Sequence, residues 1–298
     1  MDAVTRCTVQ HARAVAREIG ARAVLIYADA IAEAEELLQL LQEVDFRTIM
    51  ITRSQDGPPH LEGCPACNWV TVPDVPMTRA GQVKMALLVS LAKGLLQRGG
   101  SVVCLAGIDG SDVIDTLSIL NLETEPELFR PIDTSIIGED VRPEVFERTL
   151  TLATQLAVEG REGRPIGTIF VVGDTPRVLE RSHSLVLNPF HGYPESECNI
   201  LDPGLEETIK EFAAIDGAFI VRGDGVVLSA GAHLLSTARA PNLPKGLGAR
   251  HAAAAAITIS TGAAAVVISE STGVVSVFKS GQLVADIHRP GNGGRLPV

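Results

Sequence analysis

Two α/β domains in tandem, the first built on a parallel sheet and the second on a mixed sheet, are the fold class this sequence predicts. Three observations lead there. At 298 residues the chain is long for one ordinary domain and sufficient for two, each with its own core. Up to about residue 120, helix-period and strand-period segments alternate, the pattern of a parallel sheet covered by helices. Beyond about residue 140, short apolar runs follow one another through tight turns with few helices between them, which describes a mixed sheet.

In the first half, Ala12, Val15, Ala16 and Ile19 recur at helical spacing and lead to the strand-like run Ala23–Ala28. Ile31, Ala34, Leu37, Leu38 and Leu41 make a second helical stripe, followed by a strand-like Thr48–Thr52. After an irregular stretch come the strand run Trp69–Val72, a helix through Val83, Leu87, Leu91 and Leu95, the buried strand Ser101–Ala106, and another helix near Ser111–Leu120. This order, together with GGSVVCLAGIDGSDVIDTLSIL, where a buried strand runs into a glycine turn and a helix, resembles the C-terminal domain of pyruvate kinase over roughly residues 1–138. Gly107-Ile108-Asp109-Gly110-Ser111 reads either as a small-ligand or anion site at a helix start, or as a tight turn with Ser111 or Asp112 near the cap.

Between Glu123 and Pro143 the periodicity fails, with Pro126, Pro131 and Gly138 punctuating it, so the boundary is drawn near residue 140. The expected domains are 1–138 and 139–298. Pro143 suits the first turn of a helix through Phe146, Leu150, Ala153 and Ala157. Then follow the strand pattern Ile166–Val172, the helix Leu205–Ala213, and the strands Ala218–Val221 and Val226–Leu228 joined by Gly223-Asp224-Gly225. An Ala-rich helix begins near Gly248, and the strands Ala264–Ser269, Val274–Lys279 and Gln282–Ile287 finish the chain.

Composition narrows the function. With 25 Lys and Arg against 36 Asp and Glu, the net charge of −11 argues against a broad electrostatic grip on nucleic acid. Any phosphate chemistry must be local. No apolar run approaches the roughly 20 residues of a membrane helix, and Asp2, Arg6, Arg13 and Arg17 break up the N-terminus where a secretory signal would be apolar. The expectation is a cytoplasmic protein with no membrane partner. Five scattered cysteines do not make a disulfide framework; Cys64 and Cys67 with His60 form at most a partial zinc-type ligand set, or an ordinary reduced loop.

Two short motifs in the second half carry the chemistry. Asp216-Gly217-Ala218 puts a carboxylate at the entry to a strand, followed by two small residues that let a ligand approach the backbone. The same residues also read as the cap and terminator of the preceding helix. In Gly246-Leu247-Gly248-Ala249-Arg250-His251-Ala252, Arg250 and His251 fall in a helical first turn, where the dipole already disfavours cations. An anion resolves the conflict: Arg250, His251 and backbone N–H groups would cradle a triphosphate. Without one, they are surface residues.

In this order and at this separation, the motifs resemble the diadenylate cyclase domain family, whose hallmarks are a DGA motif and an RHR motif after a glycine-containing turn. IDGAFIVRGDGVVLSAGAHL resembles the family's strand–turn–strand after DGA, and VVISESTGVVSVFKSGQL its later SE-containing strand and hairpin. The likeness covers about residues 145–290, and with the first domain the chain is similar to the archaeal type of this enzyme.

The resemblance implies a nucleotidyltransferase that joins two ATP molecules into the second messenger cyclic di-AMP with loss of two pyrophosphates. It implies that Asp216 activates the ribose 3′-hydroxyl, as general base or by holding a divalent metal such as Mn2+, Mg2+ or Co2+. Gly217 and Ala218 would border the nucleotide, with Gly248 and Ala249 leading into Arg250 and His251, which would hold the phosphates and the departing pyrophosphate. Leu234 is implied against the adenine, and Ser269 and Glu270 as later nucleotide contacts. The third RHR position here is Ala252, and Ala249 stands where a Thr is frequent. Arg239 or Lys245 could compensate; otherwise the chain would be a degenerate, non-catalytic sensor of adenine nucleotides or cyclic di-AMP. A third reading gives the main function to the first domain, as a ligand-binding module. With one copy of each motif, a chain supplies one half-site, so the resemblance implies a homo-oligomer built from catalytic-domain dimers.

Overall fold

The computed structural model describes residues 2–30, 46–53, 68–97, 99–107, 113–123, 136–235, 244 and 246–289. They group into two compact units that part between Pro131 and Ile132, with His288 and Arg289 returning to the first. Ile136 and Ile137, on the N-terminal side of the 138/139 division drawn from the sequence, are buried and group with the second unit. The His288 carbonyl accepts hydrogen bonds from the Thr78 N–H (3.2 Å) and hydroxyl (3.4 Å).

The first unit opens with α1 (Ala3–Glu18), capped by the Asp2 carboxylate, which accepts the N–H groups of Val4 and Thr5 at 2.9 Å. Its sheet has the order β3-β2-β1-β4-β5, made of β1 (Ala23–Tyr27), β2 (Arg47–Thr52), β3 (Asn68–Thr71), β4 (Ser101–Ala106) and β5 (Thr116–Asn121). The first four strands are parallel and β5 is antiparallel to β4. Here the sequence reading is corrected: the stretch expected as a helix near Ser111–Leu120 forms β5. A short apolar run does not distinguish the two periods, and pairing TLSILN residue for residue with β4 satisfies backbone groups along the sheet edge. Helix α2 (Arg79–Ala92) is buried from Gly81 to Ser90, with Thr78 accepting the Gly81 N–H at 3.0 Å. The helical stripe at 31–41, the Cys64–Cys67 pair with His60, and residues 108–112 of the glycine turn lie outside the described residues.

The second unit carries a seven-stranded mixed sheet in the order β12-β11-β10-β6-β8-β9-β7. Its elements are α3 (Pro143–Glu159), β6 (Ile169–Val172), α4 (Thr175–Glu180), β7 (Ser182–Ser184), α5 (Glu206–Phe212), β8 (Ala218–Val221), β9 (Val227–Leu234), α6 (Ala249–Ser260), β10 (Ala264–Ile268), β11 (Val275–Lys279) and β12 (Gln282–Ile287). Only β6 and β8 pair in parallel; every other neighbour is antiparallel. On one face Ile169, Val171, Ala218, Ile220, Ala265 and Val267 pack with Ala254, Ala255 and Ile257 of α6. On the other, by strand alternation, Phe170 stacks on Phe219 at 4.8 Å. Sequence reading missed α4 and β7, which are too short and too polar to show a period.

Candidate active site

Because β6 and β8 run together while β9 and β10 run against them, one end of the sheet gathers the starts of β6 and β8 with the finishes of β9 and β10. That end presents Gly167, Asp216, Gly217, Leu234, Ser269 and Glu270, and α6 brings its first turn to the same place.

Asp216 lies in the turn after α5, which ends at Phe212, so it does not cap that helix. Gly217 has φ +118°, and a Cβ there would come within 2.6 Å of the Gly231 carbonyl carbon and 2.8 Å of the Ala232 nitrogen. Only glycine suits this position, on both counts. Ala218 then enters the ladder buried between Ile169 and Ala232. The turn leaves the Asp216 side chain 86% exposed.

Arg250 joins the pieces. Its Nη2 donates to Asp216 Oδ1 at 3.1 Å and its Nη1 to Glu270 Oε2 at 2.9 Å. Gly167 makes room beneath this arrangement: a Cβ there would lie 2.6 Å from Arg250 Nη1 and 2.8 Å from Glu270 Cβ. Sequence reading passed over Gly167, whose only signal was a glycine at the head of an apolar strand run. Exposed ion pairs of this kind are individually worth about 0–1 kcal/mol. A competing anion can therefore draw Arg250 from its carboxylates.

The first turn of α6 is open. Gly248 at its N-cap supplies no side-chain acceptor, and among the described residues nothing lies within 4 Å of where a Cβ on Gly246 or Gly248 would stand. Ala249 and Ala252 are exposed. His251 points elsewhere than Arg250: it is 5% exposed, with its ring edge-on to Phe278 at 6.0 Å. Burial lowers its pKa, Asp286 opposes that shift, and Arg250 adds to it. Leu234 is 8% exposed, in an apolar cluster against which Leu247 and Ala253 pack. The Ser269 N–H donates to the Val274 carbonyl at 2.9 Å, and its hydroxyl lies 3.4 Å from that of Ser271. Arg239 and Lys245 lie outside the described residues.

Among the described residues no group of three or more His, Cys, Asp or Glu side chains could hold a metal. A hard divalent cation here would take one or two carboxylate oxygens and fill its shell with water and phosphate oxygens, the habit of Mg2+-like ions at nucleotides. The exposed Asp216 carboxylate fits that use.

Residues 155–283 match the family described as DisA bacterial checkpoint controller nucleotide-binding, and residues 5–129 match one described as Probable sensor domain DacZ_P. A diadenylate cyclase of Methanocaldococcus jannaschii is 38% identical over 209 residues, covering 68% of this chain and 64% of that one. One of Haloferax volcanii is 32% identical over 206 residues, covering 69% and 74%. The chain thus spans less than two thirds of the first relative's length. A Cryptosporidium parvum pyruvate kinase structure aligns with 41% of this chain and 23% of its own at 13% identity and a TM-score of 0.32.

Proposed function

Since the chain belongs to the archaeal-type diadenylate cyclase family, we propose that it condenses two ATP molecules into cyclic di-AMP and two pyrophosphates. The observation that carries this reading is the solvent-facing set of Asp216, Arg250 and Glu270 around one guanidinium, cleared by Gly167 and Gly217. In each of two transfers a ribose 3′-oxygen attacks the α-phosphorus of the other ATP; a P–O bond forms, the bond to pyrophosphate breaks, and the hydroxyl proton leaves. Asp216 receives that proton or helps hold a divalent cation, Mn2+, Mg2+ or Co2+, which when bound would neutralise phosphate charge. Arg250 exchanges carboxylates for phosphate oxygens and meets the charge of the departing pyrophosphate. Gly217, Ala218, Leu234, Gly248, Ala249, Ser269 and Glu270 border the nucleotide. His251, held against Phe278, fixes the turn that aims Arg250, a narrower role than a direct phosphate contact.

A chain with one copy of each motif supplies one nucleotide and its groups, so two catalytic domains must face each other, as an isologous pair would. Alignment of the two ATPs is worth roughly 7–11 kcal/mol when geometry is good. In this reading the second unit, drawn from the sequence as residues 139–298 and grouped as 132–287 in the fold, is the catalytic domain, and the first, drawn as residues 1–138, a pyruvate kinase C-terminal-like regulatory domain. The likeness of residues 5–129 to a probable sensor domain supports that division of labour, and ATP as substrate puts the reaction in the cytoplasm. The test is to incubate the purified chain with ATP and Mn2+ or Mg2+ and identify products by mass, across a dilution series. Cyclic di-AMP with two pyrophosphates, at a specific activity that falls as assemblies dissociate, is expected; bound nucleotide without product would make the chain a sensor.

A further inference from the structure

The sheet of the second unit ends in β7, an edge strand of three residues paired antiparallel with β9. Its middle residue, His183, stands directly opposite His233. The two imidazoles lie with centroids 4.9 Å apart and planes at 45°. Both are exposed, and among the described residues neither enters a hydrogen bond or an ion pair. Neither has a part in the proposed cyclase chemistry.

Directly opposed positions on antiparallel strands bring two side chains to one spot, and two neutral imidazoles there offer two converging nitrogen lone pairs. A tetrahedral ion with metal–nitrogen bonds of about 2.0–2.1 Å holds two such nitrogens about 3.4 Å apart. Surface rings already 4.9 Å centre to centre reach that spacing by side-chain rotation alone. Imidazole suits Zn2+, Ni2+ and Cu2+, whereas Mg2+ prefers oxygen, so this pair would select a different ion from the nucleotide site.

We propose that His183 and His233 form a two-histidine site for a borderline divalent transition ion that clips β7 onto β9. With two protein ligands and the rest water, the ion would be exchangeable. The clip would act on a consequential strand pair. Val186, just past β7, has its Cγ2 2.7 Å from where a Cβ on Gly231 would be, and Gly231 is the β9 residue against which Gly217 packs.

The full-length protein, its thiols alkylated and its oxygen sites saturated with Mg2+, should be titrated with Zn2+ by calorimetry, alongside His183→Asn and His233→Asn. Each single variant should weaken one zinc equivalent by about tenfold or more, since each removes half of a chelate. The zinc-dependent rise in the thermal midpoint of the wild type should also vanish. As a measurement that needs no variant, Cu2+ bound to the wild-type chain should show two nitrogen ligands by electron paramagnetic resonance. Zinc binding equal in wild type and both variants, or a copper spectrum with one nitrogen or none, would overturn the site.

Discussion

The seven-stranded sheet carries charged groups at both ends, built in opposite ways. At the end of Asp216, Arg250 and Glu270 the side chains are 86%, 32% and 57% exposed, and among the described residues their ion pairs run only to one another. At the other end Lys279 is 5% exposed and donates to the Gly262 carbonyl at 2.5 Å. There Asp174 accepts the Gly262 N–H at 2.6 Å, and Asp140 accepts the Asp174 N–H at 2.8 Å. Burial pushes the Lys279 amine down, against the pull of Asp140 and Asp174. The lesson concerns partners. Carboxylates committed to main-chain N–H groups hold the fold in place, while carboxylates whose one partner among the described residues is a part-exposed guanidinium can be released to a ligand.

Substitutions at the two ends should therefore separate turnover from stability. The largest effect expected is that of Asp216→Asn, which removes the base or metal ligand and should slow cyclic di-AMP synthesis by about 10²–10⁴. Its thermal midpoint should stay within about a degree or two of wild type, because among the described residues no backbone group is hydrogen-bonded to that carboxylate. Near-normal turnover would end the assignment. Arg250→Ala should raise KM for ATP and lower kcat together, by about 10–100-fold in kcat/KM, having lost a charged contact present in ground and transition states. Steady-state kinetics with unchanged constants would return Arg250 to the role of a surface residue.

At the far end the expectation reverses. Asp174→Ala strips the Gly262 N–H of its acceptor and should cost about 1–3 kcal/mol in urea unfolding with turnover per folded molecule unchanged. A loss of turnover exceeding the loss of folded protein would erase the distinction between the ends. The smallest effect is a pH dependence. His251 is buried with its pKa lowered, so the unfolded chain binds its proton more readily and stability rises with pH through the window just below about 6.5. One proton sets a slope of at most about 1.4 kcal/mol per pH unit. His251→Gln should flatten the difference in urea midpoint between pH 5 and pH 7.5; an unaltered slope would assign that dependence to other groups.

What the sequence made legible follows from how local each signal was. Ser101–Ala106 and Ala264–Ile268 are apolar runs buried on both faces of their sheets, and the alanine run after Gly248 leaves little but a helix. The same reasoning misread Thr116–Asn121, because a six-residue run next to an open sheet edge takes its structure from the partner strand. Asp216 and Arg250 lie 34 positions apart, and nothing in that spacing brings them together; family resemblance made the link. Gly167 was invisible because what it accommodates, the guanidinium of Arg250 and the stem of Glu270, lies far along the chain. The burial of His251 was hidden for a related reason: a helical first turn has an outer side and a side facing the sheet, and the sequence does not say which residue takes which.

The return of His288 to Thr78 has a practical meaning for anyone dissecting the protein. The chain leaves its first body, builds a second, and comes back, so the second body is an insertion with two seams. A single cut near residue 140 would carry away one seam and strand a tail whose backbone acceptor has lost its donor. Excision before Ile132 and after Ile287 follows the division of the two bodies and keeps the Thr78–His288 hydrogen bonds with the first.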